Sequence, residues 1–398
     1  MAAFNSNSSA SPTSPSAGAK PTVAIIGGGI IGLAIGWRLA SAGCAVDIYE
    51  KGRAGNGATH AAAGMLAACV EVEPSEEALL PLTRASQELW PEFARDLEAA
   101  SGMSVGYRGE GTLVVAPNRD DAEQLRFTYD LYRRLGLPIE WLNAAEALRR
   151  EPMLHPRLAA ACYSPADHQV DNRLVAPALI EAFDRAGGRL HENTSVDSID
   201  IDGHTARGLV VDGRRRDADI VVLAAGAWSR GIPGLPVEAK PPVRPVKGQL
   251  IALGMDAASP LIRHVVWAPK AYLVPRLDGR LVIGATTEER GFDTTITAGG
   301  MLALLDGAWR VLPGIEELPV IEQWVGFRPG SRDDAPILGP SPVDRLVLAT
   351  GHHRNGILLT PVTADAVSDY ILTGRISDTI AGFGLDRFKR KTRESAAS

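Results

Sequence analysis

The stretch VAIIGGGIIGLAIGWRLASAGCAVDIYE (residues 23–50) decides how the rest of the chain is read. Residues 23–26 are a short continuous apolar run, the pattern of a central parallel strand covered on both faces. Gly27-x-Gly29-x-x-Gly32 follows at once, and Leu33, Gly36, Trp37 and Leu39 then recur at helical spacing up to Gly43. Residues 44–49 read as a second strand ending in Glu50. Each part has a task. Gly27 permits the tight turn out of the strand, Gly29 lets the backbone approach a pyrophosphate, and Gly32 allows close helix–strand packing. Ile30 and Ile31 open the helix, whose unpaired N–H groups and dipole favour phosphate. Glu50 lies 18 residues past Gly32, where a carboxylate can accept both ribose hydroxyls and would repel a 2′-phosphate. Together these parts predict a dinucleotide-binding βαβ unit and disfavour NADP.

Working outward, the rhythm of that unit breaks. A nicotinamide dehydrogenase would continue with further βαβ repeats, whereas residues 76–100 are helical in pattern and residues 109–116 are β-rich. DADIVVLAAGAWS (217–229) is a buried strand running into small residues, suited to return beside the first strand. A sheet assembled from distant parts of the chain suits a flavoprotein with an interleaved second domain. The small-residue segment ATHAAAGM (58–65) reads either as a packed loop or as a backbone surface for a flat ligand.

Composition narrows the partners. The 398 residues are 45% hydrophobic with a net charge of -6, which is ordinary globular composition of two or three domains' worth of core. Arg214-Arg215-Arg216 is a short basic run that lies among aspartates, so it reads as a solvated turn between strands, and nucleic acid is a poor partner. Three cysteines, Cys44, Cys69 and Cys162, without C-x-x-C spacing argue against a disulfide framework or a zinc site and fit a reducing compartment. The Ser/Ala/Pro-rich residues 1–20 read as a disordered tail. No run is long enough for a membrane span, so a soluble cytoplasmic protein is expected.

GGGIIG (27–32), AAAGML (61–66), PVKGQL (245–250), YLVPR (272–276), LVIGAT (281–286), GFRPGSRDDAPILG (326–339) and GHHRNGILLTP (351–361) resemble the D-amino-acid oxidase family of FAD-dependent amine oxidoreductases. The likeness runs from about residue 23 to 370, and within the family it is greatest to the glycine oxidases. It implies a Rossmann-type α/β FAD-binding domain interleaved with a mostly antiparallel-sheet substrate domain. The FAD domain is expected to gather residues 21–95, 172–235 and 322–390, and the substrate domain 96–171 and 236–321. It also implies oxidative deamination of glycine, sarcosine or small D-amino acids to a 2-oxo acid, ammonia and hydrogen peroxide, by hydride transfer to flavin N5. A part in making the thiazole of thiamine, hand-over to thiazole synthase and a homotetramer are implied in the same way.

The same resemblance assigns roles. Arg328 would clamp the substrate carboxylate, its planar fork matching that group; the residues alone place it at a strand end before a Pro-Gly turn, where a surface arginine is the plainer reading. Tyr272 would hydrogen-bond the carboxylate or shape a small pocket, the alternative being a cross-strand packing aromatic. Arg354 would reach towards the substrate. Lys51, Ala58, Thr59, Ala63, Gly64, Met65, Val196 and Gly226 would contact FAD, with the loop His352, His353, Arg354, Asn355, Gly356, Ile357 and Leu358. That loop opens the last helix, whose N-terminus is expected to face the flavin. The histidines are adjacent, with no acidic partner at ligand spacing, so no metal is expected.

Three relatives are set apart by residues. No Cys follows residue 162 and no Lys lies in the 351–357 loop, unlike monomeric sarcosine oxidases. His60 stands one residue away from the position of the flavin-anchoring His of dimethylglycine dehydrogenases, so FAD is expected to be non-covalent. GHHRNG replaces the GHG-type loop of D-amino-acid oxidases and dehydrogenases. Ala58, His60 and residues 267–270 depart from the family pattern and leave the substrate open among small amino acids. A nicotinamide dehydrogenase and a flavin subunit serving another acceptor protein are the rival readings.

Overall fold

The computed structural model describes residues 20–389; residues 1–19 of the expected 1–20 tail lie outside them. Strand β1 (Thr22–Ile26), helix α1 (Ile30–Ser41) and strand β2 (Ala45–Tyr49) form the βαβ unit read above. β1 is the centre of a six-stranded sheet. It pairs in parallel with β2 on one side and with Ile220–Leu223 on the other, in the register Val23 to Ile220. Leu346–Thr350 adds next in parallel, Ile337–Pro340 closes that edge antiparallel, and Arg189–His191 closes the other. The central strand is covered on both faces, which explains its unbroken apolar run. α1 lies in a core with Trp90, Phe93 and Phe183, against helices Asn172–Arg185 and Thr360–Thr373.

The second sheet has eight strands, in the order Val320–Gly330, Arg244–Gly254, Arg280–Gly284, Tyr272–Pro275, Val265–Trp267, Thr112–Ala116, Ala160–Ser164 and Glu140–Asn143. All its pairings are antiparallel except that of Val265–Trp267 with Thr112–Ala116. Alternation along its strands separates two faces. Ile251, Leu253, Leu273 and Ile283 pack against helix Ala298–Trp309, while Leu250, Val274, Val282 and Trp324 pack against Ala61 and Ala63 of the first half. The functional residues stand on this second face.

Some boundaries differ from the reading. Val320–Gly330 belongs to the eight-stranded sheet, so the expected division at residue 322 falls inside one of its strands. Pro329 and Gly330 continue that strand instead of turning it. This is an edge strand, where a residue without an N–H is tolerated. Arg214–Asp217 is itself an exposed strand, and the turn lies at Asp212–Gly213, both with positive φ. All three cysteines are buried and free. No helix among the described residues is long and apolar enough to cross a membrane.

Candidate active site

A single cavity of about 1050 Å³ runs from the C-terminal end of β1 to the inner face of the eight-stranded sheet. Its size is at the upper end of the roughly 300–1,000 Å³ usual for ligand clefts. At the first end, Gly27 has φ +108°, and a Cβ on Gly32 would lie 2.0 Å from the Gly27 carbonyl oxygen. Turn and helix are thus pressed together. Gly29 differs, because a Cβ there would meet only Thr59 Oγ1 at 3.6 Å. The chain's own packing does not require glycine at 29; the space beside it belongs to the cavity. Thr59 Oγ1 accepts the Ile30 N–H at 2.9 Å, supplying the cap that Gly29 cannot. The Glu50 carboxylate accepts the N–H groups of Gly28 and Gly52, each at 2.9 Å. Each oxygen keeps acceptor capacity for a ribose hydroxyl.

The small-residue segment forms the cavity's middle. Arg276, buried, anchors it from the second sheet: one Nη donates to Val170 O at 2.6 Å, the other to Ala63 O at 2.6 Å and Asn172 Oδ1 at 3.0 Å. Asn172 in turn donates to Thr59 O at 2.7 Å. Ala58, Thr59, Ala63, Gly64 and Met65 of this segment all line the cavity.

At the far end stand Tyr272 and Arg328, carried by strands of the second sheet. Each lies over a glycine. A Cβ on Gly284 would be 2.4 Å from the Tyr272 hydroxyl, and one on Gly248 would be 2.7 Å from Arg328 Nη1. Arg328 Nη1 donates to Thr286 O at 3.1 Å, and among the described residues no carboxylate pairs with the guanidinium. Burial pushes the Tyr272 phenol up to about 12, against the pull of Arg328. The phenol therefore stays a hydrogen-bond donor at neutral pH.

Arg354 behaves otherwise. Its guanidinium lines the cavity but is engaged by Glu71 at 3.0 Å, Glu73 at 3.6 Å and Glu76, so it is not free to reach a substrate as expected. Burial raises the Glu71 carboxyl to about 7 despite Arg354. His352 and His353 both line the cavity, and burial lowers each to about 3, so both are neutral. His353 has φ +47°, and its Nδ1 makes no hydrogen bond but lies 3.5 Å from Asp334 Oδ1.

The last helix begins only at Thr360. Its first N–H groups bond within the chain: Thr360 to Ile357 O, Val362 to Ser86 Oγ and Thr363 to Leu359 O. The expected helix N-terminus therefore does not face the cavity; His352, His353 and Arg354, with Gly356 and Ile357, do.

Of the residues read from the sequence, Gly27, Gly29, Ile30, Ile31, Glu50, Lys51, Val196 and Gly226 also line the cavity. Gly32, Asn355 and Leu358 do not. Gly32 serves packing, Asn355 is buried, and the Leu358 carbonyl accepts Ser86 Oγ and Trp90 Nε1. Sequence reasoning missed Glu71, Trp228, Gly248 and Thr286. A carboxylate closing the apolar stretch 61–70 was the available signal for the first; nothing local marks the others.

A family model described as FAD dependent oxidoreductase matches residues 22–370. The chain belongs to this family. It is 40% identical over 370 residues to a glycine oxidase of Geobacillus kaustophilus, covering 92% of this chain and 96% of the relative. The crystal structure of glycine oxidase from that organism superposes with a TM-score of 0.85 at 39% identity, over 92% of this chain and 99% of that one. A bifunctional protein ThiO/ThiG of Synechocystis is 37% identical over 93% of this chain, which spans 54% of that relative's length. As a member of the family the protein uses FAD, and the cavity fits it. Gly29 leaves an open cradle, Glu50 keeps acceptor capacity, and a continuous channel leads from both to Tyr272 and Arg328.

Proposed function

We propose that the protein is a glycine oxidase, converting glycine, oxygen and water to glyoxylate, ammonia and hydrogen peroxide, with sarcosine and small D-amino acids as further substrates. The observation that carries this reading is Arg328, a guanidinium without a carboxylate partner among the described residues, at the end of the FAD channel and beside a neutral phenol. Flavin, when bound, accepts the hydride from the substrate Cα and passes electrons to oxygen. The chain supplies position. The Arg328 fork takes the substrate carboxylate, Tyr272 donates a further hydrogen bond, and the neutral His352 and His353 add no competing charge. Arg354, held by Glu71, Glu73 and Glu76, shapes the wall instead of binding substrate.

Residues 21–95, 172–235 and 331–389 would hold FAD, and residues 96–171 and 236–330 the substrate. A cytoplasmic setting, a homo-oligomer and supply of the imine to thiazole synthase belong to the same proposal, the last supported by the fused ThiO/ThiG relatives. The test is peroxide production with glycine, sarcosine, D-alanine and D-proline by the wild type and Arg328→Ala. Glycine turnover falling roughly 100-fold in kcat/KM supports the reading, as expected for loss of a buried charge partner. Peroxide from bulkier D-amino acids alone overturns it.

A further inference from the structure

Behind Arg328 lies a polar assembly that none of the steps above uses. Strands Arg244–Gly254 and Arg280–Gly284 pair regularly down to Leu250 opposite Gly284. The next pairing is Lys247 opposite Glu288. Three residue steps on one chain (250 to 247) thus match four on the other (284 to 288), so one extra residue bulges out. On the face away from the cavity, side chains pin this bulge. Thr286 Oγ1 accepts the Gln249 N–H at 2.9 Å and donates to Glu288 Oε1 at 2.6 Å. The same oxygen accepts Gln249 Nε2 at 2.7 Å. Lys247, with no side-chain exposure, lies 3.8 Å from Glu288 and 2.9 Å from Asp293, and donates to Thr295 O at 2.6 Å. On the cavity face, the carbonyl of Thr286 accepts Arg328 Nη1 at 3.1 Å. Gly248, on the strand between them, leaves the path open.

We infer that the Lys247–Gln249–Glu288–Thr286 assembly positions the Arg328 guanidinium, and so sets the affinity for the substrate carboxylate from behind the sheet. This rests on the proposed role of Arg328. A carbonyl fixed by the bulge restrains one N–H of the fork and leaves the others aimed at the cavity, so less freedom is lost when a carboxylate binds. Without the assembly the bulge can relax, and the carbonyl no longer holds the arginine. These are positioning residues: they touch neither substrate nor cofactor.

Acetate, titrated into the FAD-loaded protein and read by the flavin absorbance band, probes the carboxylate site directly. Glu288→Ala should raise the acetate Kd about tenfold, the scale of one hydrogen bond to a charged group. KM for glycine should rise in parallel, with kcat and flavin content nearly unchanged. Thr286→Val, which removes the pinning hydroxyl by another route, should move both constants the same way. Glu288→Gln keeps the acceptor oxygen and should restore them. On an Arg328→Ala background, Glu288→Ala should weaken acetate no further. Unchanged acetate affinity in Glu288→Ala and Thr286→Val, with Arg328→Ala strongly weakened, overturns the positioning role alone. Loss of flavin or of kcat with acetate affinity unmoved overturns it too, by showing a merely structural part. Acetate binding unaffected by Arg328→Ala overturns the clamp itself.

Discussion

Tyr272 and Glu71 both line the cavity, yet burial acts on them with opposite consequences. Raising the phenol to about 12 keeps it in its ordinary neutral form, so its donor strength is constant across physiological pH. Tyr272→Phe should therefore raise KM for glycine several-fold, about 1 kcal/mol for one hydrogen bond, with flavin content unchanged. Raising Glu71 to about 7 changes its state within the working range. Between the ordinary glutamate value of 4.5 and about 7 the folded protein binds a proton that the unfolded chain has lost. The wild type therefore loses stability as pH rises through that window, by roughly 3 kcal/mol at most. Glu71→Gln should lack this loss, so its thermal midpoint should gain on the wild type between pH 5 and pH 8. A constant difference between the two would rule the shift out. Glu71 was not legible as a site residue because its main partner, Arg354, lies 283 residues away. The roles proposed for Arg328 and Tyr272 came only through family likeness, since alone Arg328 reads more plainly as a surface arginine and Tyr272 reads also as a packing aromatic.

The βαβ unit was legible almost to the residue, because three glycines, an apolar strand and an acidic terminus each meet a separate local demand. The structure sharpens which glycine does what. Gly29 has room for a side chain as far as the protein is concerned, whereas Gly32 has none. Gly29→Val should keep far-ultraviolet circular dichroism and lose FAD on gel filtration. Gly32→Ala should destabilise the fold itself, lowering the thermal midpoint even of the flavin-free protein. Equal behaviour of the two variants would refute the distinction. The last helix follows the loop that was read as opening it, but its N-terminus has a different aim. Its caps lie on Ser86 and within its own turn, contacts that depend on tertiary packing and leave no trace in local sequence. The bulge at residues 285–287 is a similar case, since an extra residue is visible only once the partner strand's register is known.

At the scale of the molecule, the cavity is the seam between the six-stranded and eight-stranded sheets, and both contribute its walls. FAD bound there stabilises the folded state by mass action, about 2.7 kcal/mol at 100 times its dissociation constant. Flavin removal should therefore lower the thermal midpoint and make it depend on added FAD. The interleaved plan was legible from the break in βαβ rhythm, while the single parallel pairing in the second sheet, Thr112–Ala116 with Val265–Trp267, was not, because its two strands are local readings of equal weight in either direction.

The pairing of β1 carries one more consequence, for synthesis on the ribosome. Its neighbour on one side, Ile220–Leu223, is made nearly two hundred residues later, and that strand in turn waits for Leu346–Thr350. The apolar heart of the nucleotide half is thus translated first and completed last. A nascent chain halted before residue 346 has no finished sheet and no His352–Ile357 wall, so flavin capture is a late event that awaits nearly the whole polypeptide.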